Sequence, residues 1–267
     1  MTRSAAAELA ADAAPRKGAL DSPWVLKAVA GVVLLALWEV VVRALAPAYV
    51  ARPSGIAKVF FAVITDTQFL GAAALTLGAV LEGLVVSLIA GTLVGFLMGR
   101  LPAAERALRY YVNSLFATPM VAILPLLTLW FGYNSHARLA TVVFAGFFPI
   151  AVNACEGARA VPFEYIEVSR SFRARPGSTL LDVILPASLP YLIAGVRLAA
   201  GRALVGAVVA EFFISIPGLG YFILYHSRTF RHNEALVAVI VLVAAGVGFE
   251  ALTRWLTRRC LPWHRAS

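Results

Sequence analysis

Six long apolar runs, at residues 25–45, 78–98, 115–131, 139–155, 191–213 and 235–256, alternate with shorter segments that hold most of the charged residues. Each run is near the ~20 residues that a helix needs to cross a bilayer. Hydrocarbon offers no water to hydrogen-bond the backbone, so a crossing segment must satisfy its own peptide groups, and a helix does so locally. The runs are continuous rather than alternating, which excludes the strands of a β-barrel. The expected fold is an all-α, polytopic membrane helix bundle of about six transmembrane helices. The polar gap between the fourth and fifth runs, about 156–190, is the longest between runs after the second.

Detail inside the runs refines this. The second carries Gly83, Ser87, Gly91, Gly95 and Gly99, a small residue at nearly every fourth position. Such a stripe lets helix backbones approach closely where lipid gives no hydrophobic drive to associate. Packing within the subunit is the simpler expectation, and contact with a moving neighbour the alternative. The third run holds Pro119 and Pro125, which lack backbone donors and predict a kink or break there. Irregular backbone at membrane depth needs protein or a water-filled cavity around it, so Thr118, Pro119 and Met120 are candidates for a translocation pathway.

Charges inside the runs are few. Insertion into mid-membrane costs about 2.5–3.5 kcal/mol for each Arg, Lys or Asp, so such residues usually face protein or water. Glu39, Glu82 and Glu250 are expected to have interior partners. Arg197 and Glu211 share a helix face about 21 Å apart at ~1.5 Å per residue, too far for direct pairing. They and Asn153 join the pathway candidates. Arg197 or Arg202 in a pathway would suit an anion.

Composition agrees. The chain is 61% hydrophobic and 14% charged, with mean hydropathy +0.83; soluble domains carry about 25% charged residues. The net charge of +9 is spread between apolar runs rather than gathered on one solvated face, so nucleic acid is not an expected partner, whereas the lipid bilayer is. Lys and Arg concentrate on one side, at Arg100, Arg106, Arg109, Arg159, Arg170 and Arg258 among others. The other side has fewer, including Arg43, Arg52 and Arg138. The positive-inside rule then puts both termini and the 156–190 loop in the cytoplasm. Residues 1–23, broken by Glu8, Asp12, Arg16, Lys17 and Asp21, contain no uninterrupted apolar signal region. They read as a disordered cytoplasmic tail before one transmembrane domain, 24–267. Cys155 and Cys260, the two cysteines, form no CxxC pair and imply no disulfide framework.

The segment Phe163–Pro190 is a charged island in an apolar chain. Glu167-Val-Ser-Arg-Ser-Phe-Arg-Ala174, followed by Ile184-Leu-Pro186, resembles the "EAA loop" of bacterial ABC importer permeases. Val168 and Ser169 stand where the family has alanines, and Arg173 where it has a turn glycine. Pro176-Gly177 is a local breaker that could supply the turn instead. Further segments resemble the nitrate/sulfonate/taurine subgroup: Ala122-Ile-Leu-Pro125 through Trp130-Phe-Gly132, Phe147-Phe-Pro149 through Asn153, Gly195-Val-Arg197, Val209-Ala-Glu211, Gly218-Leu-Gly220-Tyr221 and Leu261-Pro-Trp263.

What the resemblance implies is a bacterial inner-membrane permease, non-catalytic and without cofactor or bound metal. It would work as a homodimer with two cytoplasmic ABC ATPase subunits and an extracytoplasmic solute-binding protein. The cargo would be a small anionic solute. Glu164, Glu167, Val168, Ser169, Arg170, Arg173, Ala174, Gly177, Ile184, Leu185 and Pro186 would form the loop that couples to the ATPase. The alternatives are a secondary carrier or channel working alone, or an integral membrane enzyme. The chain contains no HExxH, GxSxG or P-loop pattern.

Overall fold

A computed structural model describes residues 23–47 and 49–260. The expected N-terminal tail lies outside the described residues except for Pro23. Every regular element described is helical. They are α1 (Pro23–Leu45), α2 (Pro53–Ile64), α3 (Thr67–Arg100), α4 (Pro102–Ala117), α5 (Met120–Phe131), α6 (Ser135–Arg159), α7 (Phe163–Ser171), α8 (Leu185–Ile214), α9 (Leu219–Arg228) and α10 (His232–Cys260). Residues up to Lys58 form one compact unit and those from Val59 onward another. Among the described residues, five helices are long and apolar enough to cross a membrane, or six if α4 and α5 make one broken span.

In the first unit, Glu39 of α1 accepts hydrogen bonds from the Ser54 backbone N–H (3.0 Å), the Ser54 hydroxyl (2.7 Å) and Arg43 Nε (2.5 Å). The partners of Glu39 are therefore one turn away and at the start of α2, and Arg43 is exposed rather than interior as expected.

The second unit is organised around α6. The small-residue stripe of α3 lies directly against it. A methyl group added at Gly91 would meet Ile150 at 3.0 Å, and one at Gly99 would meet Ala158 at 2.7 Å. Gly83 and Gly95 face Val142 and Ala154 in the same register. Both sets of numbers rise together, so α3 and α6 run parallel. Ser87, fully buried, donates to the Val143 carbonyl at 3.1 Å. The stripe thus serves packing inside the subunit.

On another face of α6, α8 runs antiparallel. Gly157 meets Tyr191 and Ser188, Gly195 meets Asn153, and Gly206 meets Ala145. Helices at this separation leave room for small side chains only, which is why Ala145, Ala151, Ala154, Ala158, Ala199, Ala203 and Ala207 make up so much of the core.

Helix ends follow local chemistry. The Asp66 carboxylate accepts from Gln68 N–H (2.9 Å) to start α3, and the Asn134 side chain accepts from His136 N–H (2.8 Å) to start α6. Gly132, at φ 80, ends α5.

The third apolar run is not one continuous helix over 115–131. It breaks between Ala117 and Met120, and α4 and α5 meet at 105°. Of the two prolines, Pro119 sits at the break, whereas Pro125 is carried inside α5. Proline in a first turn sacrifices no helical donor, but Pro125 does. The nearby Thr128 hydroxyl donates to the Pro125 carbonyl at 2.8 Å.

Gly95→Val should overpack the α3–α6 seam and cost about 1–3 kcal/mol. The check is thermal unfolding of the detergent-solubilised chain. Gly78→Ala, where the added methyl meets nothing within 4 Å, should leave the transition unchanged.

Candidate functional site

Two regions gather the chemistry expected from sequence. The first follows α6. Helix α7 ends in a turn whose bonds are Arg173 N–H to the Arg170 carbonyl (2.8 Å) and Ala174 N–H to the Ser169 carbonyl (3.1 Å). Those two bonds, with Arg173 in the left-handed region at φ 54, define a Schellman cap. The turn is therefore made at Arg173 itself. Pro176-Gly177 does not make it: Pro176–Ser178 is a helical turn leading into a π-helical turn, Thr179–Ile184.

That wide turn has a cause. Pro186 has no N–H to continue the α-helical ladder, and Leu185 N–H bonds back to the Leu180 carbonyl, five residues earlier.

The segment is fastened to the bundle along one side. Ile166 and Ile184 are buried with Phe96, Ala154, Ala158, Val161 and Leu192. Buried Ser169 shares a 2.8 Å hydrogen bond with Thr179, joining α7 to the π turn. Ala174, Leu185 and Pro186 are half-buried, and Glu164, Glu167, Val168, Arg170, Arg173 and Gly177 are exposed. Of the residues named from sequence, Ser169 and Ile184 hold the loop in place and the exposed set forms its outer face. That face also carries Tyr165, Phe172 (83% exposed) and Leu181, which the sequence reading passed over. The signal available was the aromatic residues Phe163, Tyr165 and Phe172 in a charged segment.

The second region is mid-bundle. Thr118, Pro119 and Met120 line a cavity of about 410 Å³ at the α4–α5 break, with Phe116, Phe148 and Arg202. Asn153, Arg197 and Glu211 are not brought to it. The Asn153 amide donates to the Pro149 carbonyl at 2.8 Å within α6. Arg197 pairs with Glu250 of α10, which names the partner expected for Glu250. Glu82, by contrast, is exposed and makes no ion pair among the described residues.

Glu211 is fully buried where α3, α6 and α8 meet the first residues of α9. Its carboxylate accepts from Thr76 Oγ1 of α3 (2.8 Å), Arg138 Nη1 of α6 (3.1 Å) and Gly220 N–H (2.8 Å). Arg138 Nη1 also donates to the Pro217 carbonyl (3.0 Å), and Leu219 N–H to Thr76 Oγ1 (2.8 Å). A side chain at Gly218 would strike the Glu211 carboxylate, and one at Gly220 would meet the Val208 carbonyl at 2.7 Å. The Gly218-Leu-Gly220 motif is thus the loop that wraps a buried anion.

Residues 87–262 match the family described as the binding-protein-dependent transport system inner membrane component. The chain belongs to this family. The permease is 29% identical to the formylaminopyrimidine transport permease protein ThiX of Halalkalibacterium halodurans, over 87% of this chain and 93% of that one. It is 26% identical to the taurine transport system permease protein TauC of Escherichia coli, over 87% of each. With the bicarbonate transport system permease protein CmpB of Synechococcus elongatus it shares 31% identity, over 68% of this chain and 66% of that one. An amino acid ABC transporter crystallised with histidines has the same fold, with TM-score 0.61 and 18% identity over 75% of this chain and 98% of that one. The permease is thus a multi-pass inner-membrane protein and a transport component.

Glu211→Gln leaves the buried Arg138 guanidinium without its counter-charge and should cost about 3–5 kcal/mol, whereas replacing Arg138 and Glu211 together by Met should recover part of that loss. Thermal unfolding in detergent reads both. Arg173→Gly should relax the left-handed cap by about 1–2 kcal/mol, seen as slower amide exchange across 163–178.

Proposed function

We propose that this permease forms the translocation path of an ATP-driven importer for a small anionic solute, and that residues 163–186 receive the mechanical work. The carrying observation is the loop's build. A short helix packs through Ile166 with residues of α3, α6 and α8, and Ser169 ties it to the π turn that buries Ile184 in the same cluster, while its outer face stays open. A rigid body with an exposed aromatic and charged face suits docking on another protein, and its anchorage into three membrane helices suits passing a displacement to them.

The partner is an ABC ATPase on the cytoplasmic side, where the Lys/Arg asymmetry puts this loop and both termini. Two ATPase subunits would serve a homodimer of the permease, and a solute-binding protein would deliver cargo from the other side. The loop corresponds to the EAA loop of the family. Glu164, Glu167, Val168, Arg170 and Arg173 would touch the ATPase, with Tyr165 and Phe172 as apolar anchors. Thr118, Pro119 and Met120 would line the path. Taurine and bicarbonate in the names of TauC and CmpB support an oxyanion-bearing cargo.

The test is reconstitution in liposomes with the ATPase and binding protein, following uptake of labelled cargo. Glu167→Arg with Phe172→Ala should cut uptake more than tenfold, as expected for lost interface anchors worth about 2 kcal/mol or more, with normal insertion and solute-binding. Flux through the permease alone, or full uptake by the double variant, would overturn the reading.

A further inference from the structure

Arg202 is an exposed residue of α8. It lies 17 residues into α8, about 26 Å from the helix start and about 18 Å from its end at 1.5 Å per residue, and so within the hydrocarbon depth. Four other span arginines are paired: Arg43 with Glu39, Arg138 with Glu211, Arg197 with Glu250 and Arg159 with Glu105; Arg100, Arg254, Arg258 and Arg259, which make no ion pair among the described residues, lie within the last seven residues of α3 or α10. Among the described residues Arg202 makes no ion pair. It makes one long hydrogen bond, from Nη1 to the Phe116 carbonyl at 3.4 Å, and its guanidinium carbon sits 4.2 Å from the centre of the Phe116 ring.

This geometry leaves donors free. A ring stacked on a guanidinium covers its face and fixes its plane, but not its edges. Nε and Nη2 carry no hydrogen bond, and their edge is the one that grips a planar or tetrahedral oxyanion in two parallel bonds. Arg202 is also the one ionisable residue lining the 410 Å³ cavity at the α4–α5 break. That volume is within the range of small-molecule sites, about 300–1,000 Å³. The other lining groups are apolar except Thr118, whose hydroxyl already donates to the Ser114 carbonyl at 2.9 Å.

We propose that Arg202 is the anion-recognising residue of the translocation path: its edge binds the sulfonate or carboxylate group of the cargo at the α4–α5 break, while Phe116 holds the guanidinium plane. The inference rests on the reading of the chain as an anion importer and assigns that path its selective contact. Phe116 acts as a positioning residue, because it touches Arg202 and not the cargo.

The experiment reads the cavity without transport. Cys155 and Cys260 are replaced by Ala, and a reporter cysteine is placed at Val205 or, in a second variant, at Ala117, both lining the cavity. The full chain in lipid nanodiscs, open to reagent from both faces, is treated with sulfonatoethyl methanethiosulfonate or its trimethylammonium analogue. With Arg202 present, the sulfonate reagent should gain at least roughly tenfold over the cation relative to a free thiol, the effect of one nearby unscreened positive charge. Arg202→Lys should keep most of that preference, and Arg202→Gln should abolish it. Phe116→Leu should weaken it without removing it.

Two results would overturn the proposal. If neither reporter reacts with either reagent, the cavity is closed by lipid or a second copy. If the preference is absent or survives Arg202→Gln, the guanidinium is neutralised by another chain or faces elsewhere. A chain that labels as expected but imports nothing with its ATPase and binding protein would defeat the importer reading alone.

Discussion

Hydrocarbon gives a charged side chain no solvent, and that constraint organises the second unit of this permease. The cost of an unpaired charge is several kcal/mol in such surroundings, so position along a span is decided by where a partner can be found. Glu211 satisfies it by drawing Thr76, Arg138 and Gly220 onto one carboxylate. The same contacts tie α3, α6 and α8 together at one end and fold the 215–220 turn over them. Arg197 and Glu250 satisfy it across α8 and α10. Arg202, at the cavity of the α4–α5 break, and exposed Glu82 make no ion pair among the described residues.

Close packing supplies the rigidity that makes those positions meaningful. The parallel α3–α6 pair and the antiparallel α6–α8 pair meet through glycine and alanine, so backbones lie near enough for many weak contacts. The anchoring of α7 draws on the same three helices, through Phe96, Ala154, Ala158 and Leu192. The outer face of the loop is thus backed by closely packed helices. Strain in the cap at Arg173 is compatible with this, since the backbone there is held by two hydrogen bonds and by Ser169 on Thr179.

Residue order alone was enough for the helical class, for about six spans and their approximate places, for the small-residue stripe and for the polar loop. These follow from local periodicity and from the bilayer's refusal to hydrogen-bond backbone, both of which act on contiguous residues. The family resemblance reached further, to the loop's terminal Leu185-Pro186 and the Gly218-Leu-Gly220 turn. Tertiary structure decided the pairings. Thr76 and Glu211 are 135 residues apart in the chain, and no pattern along it names Glu250 rather than Glu211 as the partner of Arg197. It decided that Pro119 sits at a helix break while Pro125 is carried inside α5 at the loss of one donor, because residue order alone does not say at which of two prolines the chain will bend. It also decided that Arg173 takes a conformation glycine would adopt more cheaply, held by the cap bonds of Arg173 and Ala174 and by Ser169 on Thr179.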